Sequence, residues 1–139
     1  MSRVDSFNTD GLERANRADI RFVTLGIESA SPKVLKMMNK KTDREKIISC
    51  CVKLKENNLN SYGLWMIGHP GDNSVEAEYS LELLEYLLKQ NLMDRVSISV
   101  FAPCPGTAFF EQPEKYGIEI LSDDWSGWVN TISKSLYAN

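Results

Sequence analysis

Apolar and polar positions repeat along this chain with two different periods, and the switches between them mark out the elements. Residues 20–27, Ile-Arg-Phe-Val-Thr-Leu-Gly-Ile, are nearly all apolar or β-branched. Such a run predicts a strand covered on both faces, as in a parallel sheet. Residues 62–67, Tyr-Gly-Leu-Trp-Met-Ile, predict a second strand, closed by the breaker Gly68-His69-Pro70-Gly71. In a third, Val96, Ile98 and Val100 alternate with Ser97, Ser99 and Phe101. Residues 3–7 read as the tail of a further strand.

Between the strands the period becomes helical. Behind the N-cap choices Asn8, Thr9 and Asp10, residues 11–17 predict a short helix with Leu12 and Ala15 on one side. Ser31-Pro32 couples an N-cap to proline at the first helical position, and Asn39-Lys40-Lys41 breaks the short helix that follows. Thr42 and Glu45 have capping-box spacing. The helix they open places Ile47, Ile48, Cys51 and Leu54 along one stripe and ends near Asn57-Asn58. Asn73 and Glu76 open another, expected to reach about Gln90 and to bury Ala77, Leu81, Leu84 and Leu88. Residues 108–116 predict a last short helix, followed by Gly117-Ile118-Glu119-Ile120-Leu121 and a tail with Trp125 and Trp128.

Strands alternating with helices across short joints predict an α/β fold with three or four parallel strands and outer helices, in right-handed crossovers. Chemistry in such folds sits at the carboxyl ends of the strands. Here those ends are residues 26–31, 68–73 and 102–107, all rich in Gly, Pro and small polar residues.

Composition narrows the functional classes. With 139 residues, 42% hydrophobic and 25% charged, the chain is one domain or part of a larger one. A complete eight-stranded barrel needs roughly 250 residues and is excluded. Sixteen Lys+Arg against 19 Asp+Glu leave a net charge of −3, so no clear nucleic-acid surface is expected. No apolar run approaches the ~18–20 residues of a membrane span. The opening MSRVDSFNTD lacks a secretory h-region, so a cytoplasmic location is expected. Three cysteines, the adjacent Cys50-Cys51 and Cys104, form neither a disulfide framework, a CxxC nor a cluster-binding set, and no metal ligands are expected. Cys104 reads as an unreactive loop thiol. His69, the only histidine, reads as a polar loop residue, the alternative being a proton donor or substrate contact. Lys40, Lys41, Lys53 and Lys55 read as solvated helix faces. Trp65 is expected in or near the core, and Trp125 and Trp128 as a closing cap or as uncovered apolar surface.

At the strand ends the chain resembles a known family. Leu25-Gly26-Ile27-Glu28-Ser29-Ala30-Ser31, Val34-Leu35 and Met38-Asn39-Lys40-Lys41-Thr42 look like the middle of a radical S-adenosylmethionine (radical SAM) enzyme barrel. The likeness continues through Trp65-Met66-Ile67-Gly68-His69-Pro70-Gly71-Asp72, Pro103-Cys104-Pro105-Gly106-Thr107 and Tyr116-Gly117-Ile118. It is strongest to the cobalamin-associated iron–sulfur oxidoreductases, and similar to methylthiotransferases and oxygen-independent coproporphyrinogen oxidases. The resemblance implies a partial (β/α) TIM-like barrel. The whole chain, 1–139, would be a single segment matching roughly the third to sixth strands, plus a short C-terminal tail.

In such enzymes a CxxxCxxC loop binds a [4Fe–4S] cluster, on which S-adenosylmethionine is cleaved to a 5′-deoxyadenosyl radical. This chain lacks that loop and the glycine-rich methionine site, so the resemblance implies the adenosine-side half of the enzyme, inactive alone. S-adenosylmethionine is the implied cofactor, with the cluster held elsewhere and cobalamin on a separate domain. Glu28 matches a polar residue near the cofactor's ribose or sulfonium, with an N-cap or surface carboxylate as alternative. Ser29 adjoins it, and capping also explains it. Met66 and Gly68 match positions that contact adenine; Ala102 matches a backbone segment beside the adenine edge. Leu64 departs from relatives that place an aspartate on the ribose.

Three functions remain open from sequence. The first is the adenosine half of a radical SAM enzyme whose substrate is unknown. The second is a non-catalytic half-barrel that pairs with another chain, and the third a small α/β nucleotide-binding module. Either of the first two implies a missing N-terminal half, or self-association, as partner.

Overall fold

A computed structural model describes residues 2–4, 9–121 and 137–138. Four strands form one sheet, β1 (Ser2–Arg3), β2 (Phe22–Glu28), β3 (Asn60–Ile67) and β4 (Arg95–Val100). They lie in the order β1-β2-β3-β4, every neighbouring pair parallel. This is the parallel α/β sheet that the apolar runs predict. Helices α1 (Thr9–Arg17), α2 (Pro32–Met37), α3 (Arg44–Glu56) and α4 (Ser74–Lys89) fill the connections. Parallel neighbours require such crossovers, because a tight turn can only reverse a strand.

Side-chain alternation along the strands divides the sheet into two faces. Val23, Leu25 and Ile27 of β2 and Trp65 of β3 join Leu12, Ile47, Cys51, Leu54, Leu83 and Leu87 from the helices in one core. On the other face Thr24, Tyr62, Leu64, Met66, Ser97 and Ser99 are half-buried. The helix-covered face supplies the stability, and the open face is available for a site.

Helix boundaries follow capping chemistry with two departures from expectation. Asp43, not Thr42, caps α3, its Oδ1 accepting from Lys46 N at 2.8 Å. That bond holds the Asp43 carboxyl below its usual pKa. Asn73 caps α4 through Val75 N and Glu76 N, but the Glu76 carboxylate bonds Ser31 instead of closing a box. Past the helices the chain turns at Asp19, Asn39, Asn58 and Asn91, all with φ between 53° and 56°. Asn and Asp tolerate that left-handed conformation better than other non-glycine residues.

Two apolar stripes differ from the pattern. α4 buries Leu83, Leu84 and Leu87, whereas Leu81 and Leu88 are 53% and 47% exposed. Along β4, Val96 packs on the core while Ile98 and Val100 are exposed. Beyond β4 no further strand pairs among the described residues. Residues 108–116 split into α5 (Ala108–Glu111) and a 3-10 turn, Pro113–Tyr116, because proline cannot continue the hydrogen-bond ladder. A small antiparallel pair, β5 (Glu119–Ile120) with β6 (Tyr137–Ala138), follows. Trp125 and Trp128 lie outside the described residues.

Candidate functional site

Because the strands are parallel and in sequence order, β2, β3 and β4 deliver Glu28, Gly68 and Ala102 to one edge of the sheet. The β2 end is irregular. The register with β3 shifts after Gly26↔Leu64, so that Glu28 stands opposite Trp65. Glu28 has φ 68° and is the centre of a three-residue turn closed by Ser29 N–H on Ile27 O at 2.9 Å. A Cβ at Gly26 would stand 2.7 Å from Glu28 Oε1, so only glycine leaves the carboxylate room to lie back along its strand.

Lys40 completes this corner. Left-handed Asn39 turns the chain out of α2, and Lys40 N donates to Leu35 O at 2.9 Å. The Lys40 ammonium then reaches Glu28 Oε1 at 3.1 Å and Gly26 O at 3.4 Å. Side-chain exposures of 18% for Lys40 and 12% for Glu28 correct the solvated-face expectation for Lys40. No run of charge or helical periodicity marked Lys40 as a site residue. Its pairing depends on a fold-back that no local pattern displays.

Ser29 is buried, and its hydroxyl is engaged within the protein. It lies 3.0 Å from Ser80 Oγ and accepts from Ser31 N at 3.0 Å. The side chain that opens into the site at this corner is therefore Glu28, with Ser29 tying the loop to α4.

At the β3 end, Met66 is half-buried on the open face, in register with Ser99. Gly68 takes φ 76°, and its N–H donates to Asp72 Oδ2 at 3.0 Å. His69 lies in the loop after β3, as expected, but is buried there: it is 1% exposed, with its ring 4.5 Å from that of Phe101. Neither nitrogen has a hydrogen-bond partner among the described residues. Burial pushes its pKa down to about 4; Asp72 opposes that shift and Lys40 adds to it.

At the β4 end Phe101 N–H bonds Ile67 O at 2.8 Å, which holds Ala102 beside the β3 exit. Phe109 meets the Phe101 ring edge-on and the Tyr116 ring at a tilt, at 5.1 Å and 4.5 Å between centroids. They wall the loop in which Pro103 is buried and Cys104 exposed. A cavity of 430 Å³ beside α2 and α3 also includes Lys40, with Leu35, Lys36 and Thr42, but reaches none of Glu28, Met66, Gly68 and Ala102.

The thiols do not fit an iron–sulfur cluster. Cys50 and Cys51 are buried in α3, and burial raises their pKa values to about 11 and about 12. Cluster ligation needs thiolates. Among the described residues no group of three or more His, Cys, Asp or Glu could hold a metal ion. No helix of those residues is long and apolar enough to cross a membrane.

Comparison with known proteins gives a consistent picture. The family model for the radical SAM superfamily matches residues 2–84. A ribosomal protein uS12 methylthiotransferase from Pasteurella multocida is 30% identical over 101 residues, 71% of this chain and 22% of that protein. A putative methylthiotransferase from Methanocaldococcus jannaschii is 31% identical over 76% of this chain and 22% of its own length. An uncharacterized methyltransferase from Pyrococcus horikoshii is 28% identical over 79% and 23% respectively. This chain thus spans less than a quarter of the length of these relatives. Coproporphyrinogen III oxidase from Escherichia coli, described as a radical SAM enzyme, superposes with a TM-score of 0.61 at 14% identity. The superposition covers 86% of this chain and 32% of that one, and the likeness is one of fold.

Proposed function

The chain belongs to the radical SAM superfamily, and on that premise we propose that its strand ends form the adenosyl half of an S-adenosylmethionine site. The observation that carries this reading is the Glu28–Lys40 pair, 3.1 Å apart at the same sheet edge as Gly68 and Ala102. The adenosyl group presents vicinal hydroxyls and a flat apolar base, and the residues offer a match to each. The Glu28 carboxylate accepts hydrogen bonds from two neighbouring hydroxyls. Lys40, paired with Glu28, holds that carboxylate at the sheet edge. Met66 gives a polarizable apolar surface for the base, Gly68 lets the base approach the backbone closely, and the backbone at Ala102 lies beside its edge.

When bound in a complete enzyme, S-adenosylmethionine would supply radical chemistry, with the cluster held by residues outside this chain. The cluster ligands are assigned to another part of the protein, so the isolated chain is expected to bind adenosyl ligands weakly without turnover. The four strands would then correspond to roughly the third to sixth of the barrel, and the partner to the remaining strands. Substrate choice lies with that remainder.

Titration of the isotope-labelled chain with S-adenosylhomocysteine tests the reading by NMR. Shifts should concentrate at Glu28, Met66, Gly68 and Ala102. Glu28→Gln should weaken binding about tenfold, the size expected for one charge-assisted hydrogen bond. Absence of shifts up to millimolar ligand, or shifts clustered at other residues, would overturn it.

A further inference from the structure

Glu28 cannot hold its observed backbone unaided. It is a non-glycine residue at φ 68° in the middle of a three-residue turn, a strained conformation for a side chain with a Cβ. Conformations of this kind persist where the surroundings over-determine them. Here the surroundings are two side chains one turn apart on α4. Ser80 Oγ accepts from Ala30 N at 2.9 Å and lies 3.0 Å from Ser29 Oγ. Ser31 Oγ donates to the Glu76 carboxylate in a very short contact. The same Oγ accepts from Val34 N at 3.1 Å, while Ser31 N donates to Ser29 Oγ at 3.0 Å. The three residues after Glu28 are thus fastened to α4 by a closed network, nearly all of it out of water.

We propose that Glu76 and Ser80 are positioning residues: through Ser29, Ala30 and Ser31 they keep Glu28 in the left-handed turn that presents its carboxylate at the sheet edge. The ligand role of Glu28 is the reading given above, on which the functional part of this proposal rests; the conformational part stands on the hydrogen bonds alone. Neither Glu76 nor Ser80 needs to touch the ligand. Both face the β2 exit loop from the helix-covered side of the sheet, whereas Glu28 turns toward Gly26 and Lys40. α4 therefore does more than bury its leucines in the core. Its first two turns set the shape of the loop leaving the neighbouring strand.

Four variants of the full chain test this: Ser80→Ala, Ser80→Thr, Glu76→Ala and Glu76→Gln. Three readouts are taken on each: amide exchange at Ala30, the coupling constant and carbon shifts that report positive φ at Glu28, and the S-adenosylhomocysteine dissociation constant. Ser80→Ala should speed Ala30 exchange at least tenfold, remove the positive-φ signature of Glu28 and weaken binding about tenfold. Ser80→Thr and Glu76→Gln keep an acceptor oxygen, and should restore all three readouts. They also keep the test decisive should an alanine variant not fold. An unchanged Glu28 signature in both Ser80→Ala and Glu76→Ala overturns the proposal. Should the parent chain bind no adenosyl ligand, the adenosyl reading fails, and the Glu28 signature alone then decides on the positioning roles.

Discussion

Two ring nitrogens closed off from water tie the ionisation of His69 to stability. Its folded pKa is about 4 against an ordinary 6.5, because burial disfavours the imidazolium. Above pH 6.5 both the folded and unfolded chains hold it neutral, and its contribution is fully present. Between 6.5 and about 4 the unfolded chain takes up a proton that the folded chain refuses, so stability falls as pH falls. Across that window the loss is about 3 kcal/mol. Replacing His69 with Leu should abolish that part of the slope. It should also raise stability at pH 7 by about 1–3 kcal/mol, since no buried polar atom is then left unpaired. Urea denaturation of both proteins from pH 4 to 7 measures this, and parallel pH profiles would refute it. The sequence showed a histidine in a Gly-His-Pro-Gly loop, where the structure places it, and held no sign of its burial. Burial came from Phe101, 32 positions away at the end of the next strand.

On the scale of one element, the position of α4 was legible and its rotation was not. Asn73 and the leucine-rich run that follows announced a helix, and one forms at Ser74–Lys89. Two stripes of leucine compete to face inward, however, and periodicity alone favoured Leu81 and Leu88. The position of α3 and the bonds from Glu76 and Ser80 to the β2 exit loop turn the Leu83 and Leu87 stripe inward instead. Leu87→Ala should therefore cost about 2–5 kcal/mol. Leu81→Ala should change stability by no more than about 0.5 kcal/mol in the isolated chain. The same comparison applies to the start of α3: Asp43→Ala should cost about 1 kcal/mol. Thr42→Val should cost nothing, because the Thr42 hydroxyl is buried without a partner among the described residues. Thermal melts of the four variants check the set; a larger loss from Leu81→Ala than from Leu87→Ala would contradict the observed helix face.

For the whole molecule the open question is what covers the β4 side. The outer edge of β4 has no strand partner among the described residues, and Ile98 and Val100 on that strand are exposed, as are Leu81 and Leu88 of α4. An unpaired edge beside apolar side chains favours addition of another strand. We expect the isolated chain to associate, with itself or with the remaining strands of a barrel. Light scattering across a dilution series should show a mass that rises with concentration. Val100→Lys, which places a charge on the exposed stripe, should return the chain to one-protomer mass. A fixed one-chain mass at high micromolar concentration would refute the expectation.

By itself the sequence determined what is local or repeated. The apolar runs specified β2 and β3, the Asn, Ser and Pro signals bounded the helices, and strand–helix alternation required parallel pairing. The ordered motifs at the strand ends carried the family. Glu28, Gly68 and Ala102 could be placed at one edge beforehand, because parallel strands in sequence order bring equivalent ends together. Tertiary structure decided what depends on approach between distant segments. It set Lys40 against Glu28, tied Ser29 and Ser31 to α4, sealed His69 under Phe101 and chose the buried stripe of α4. Each of these turns on a few ångströms between side chains far apart in the chain. Propensity and periodicity describe a residue's relation to its near neighbours, and hold no information at that range.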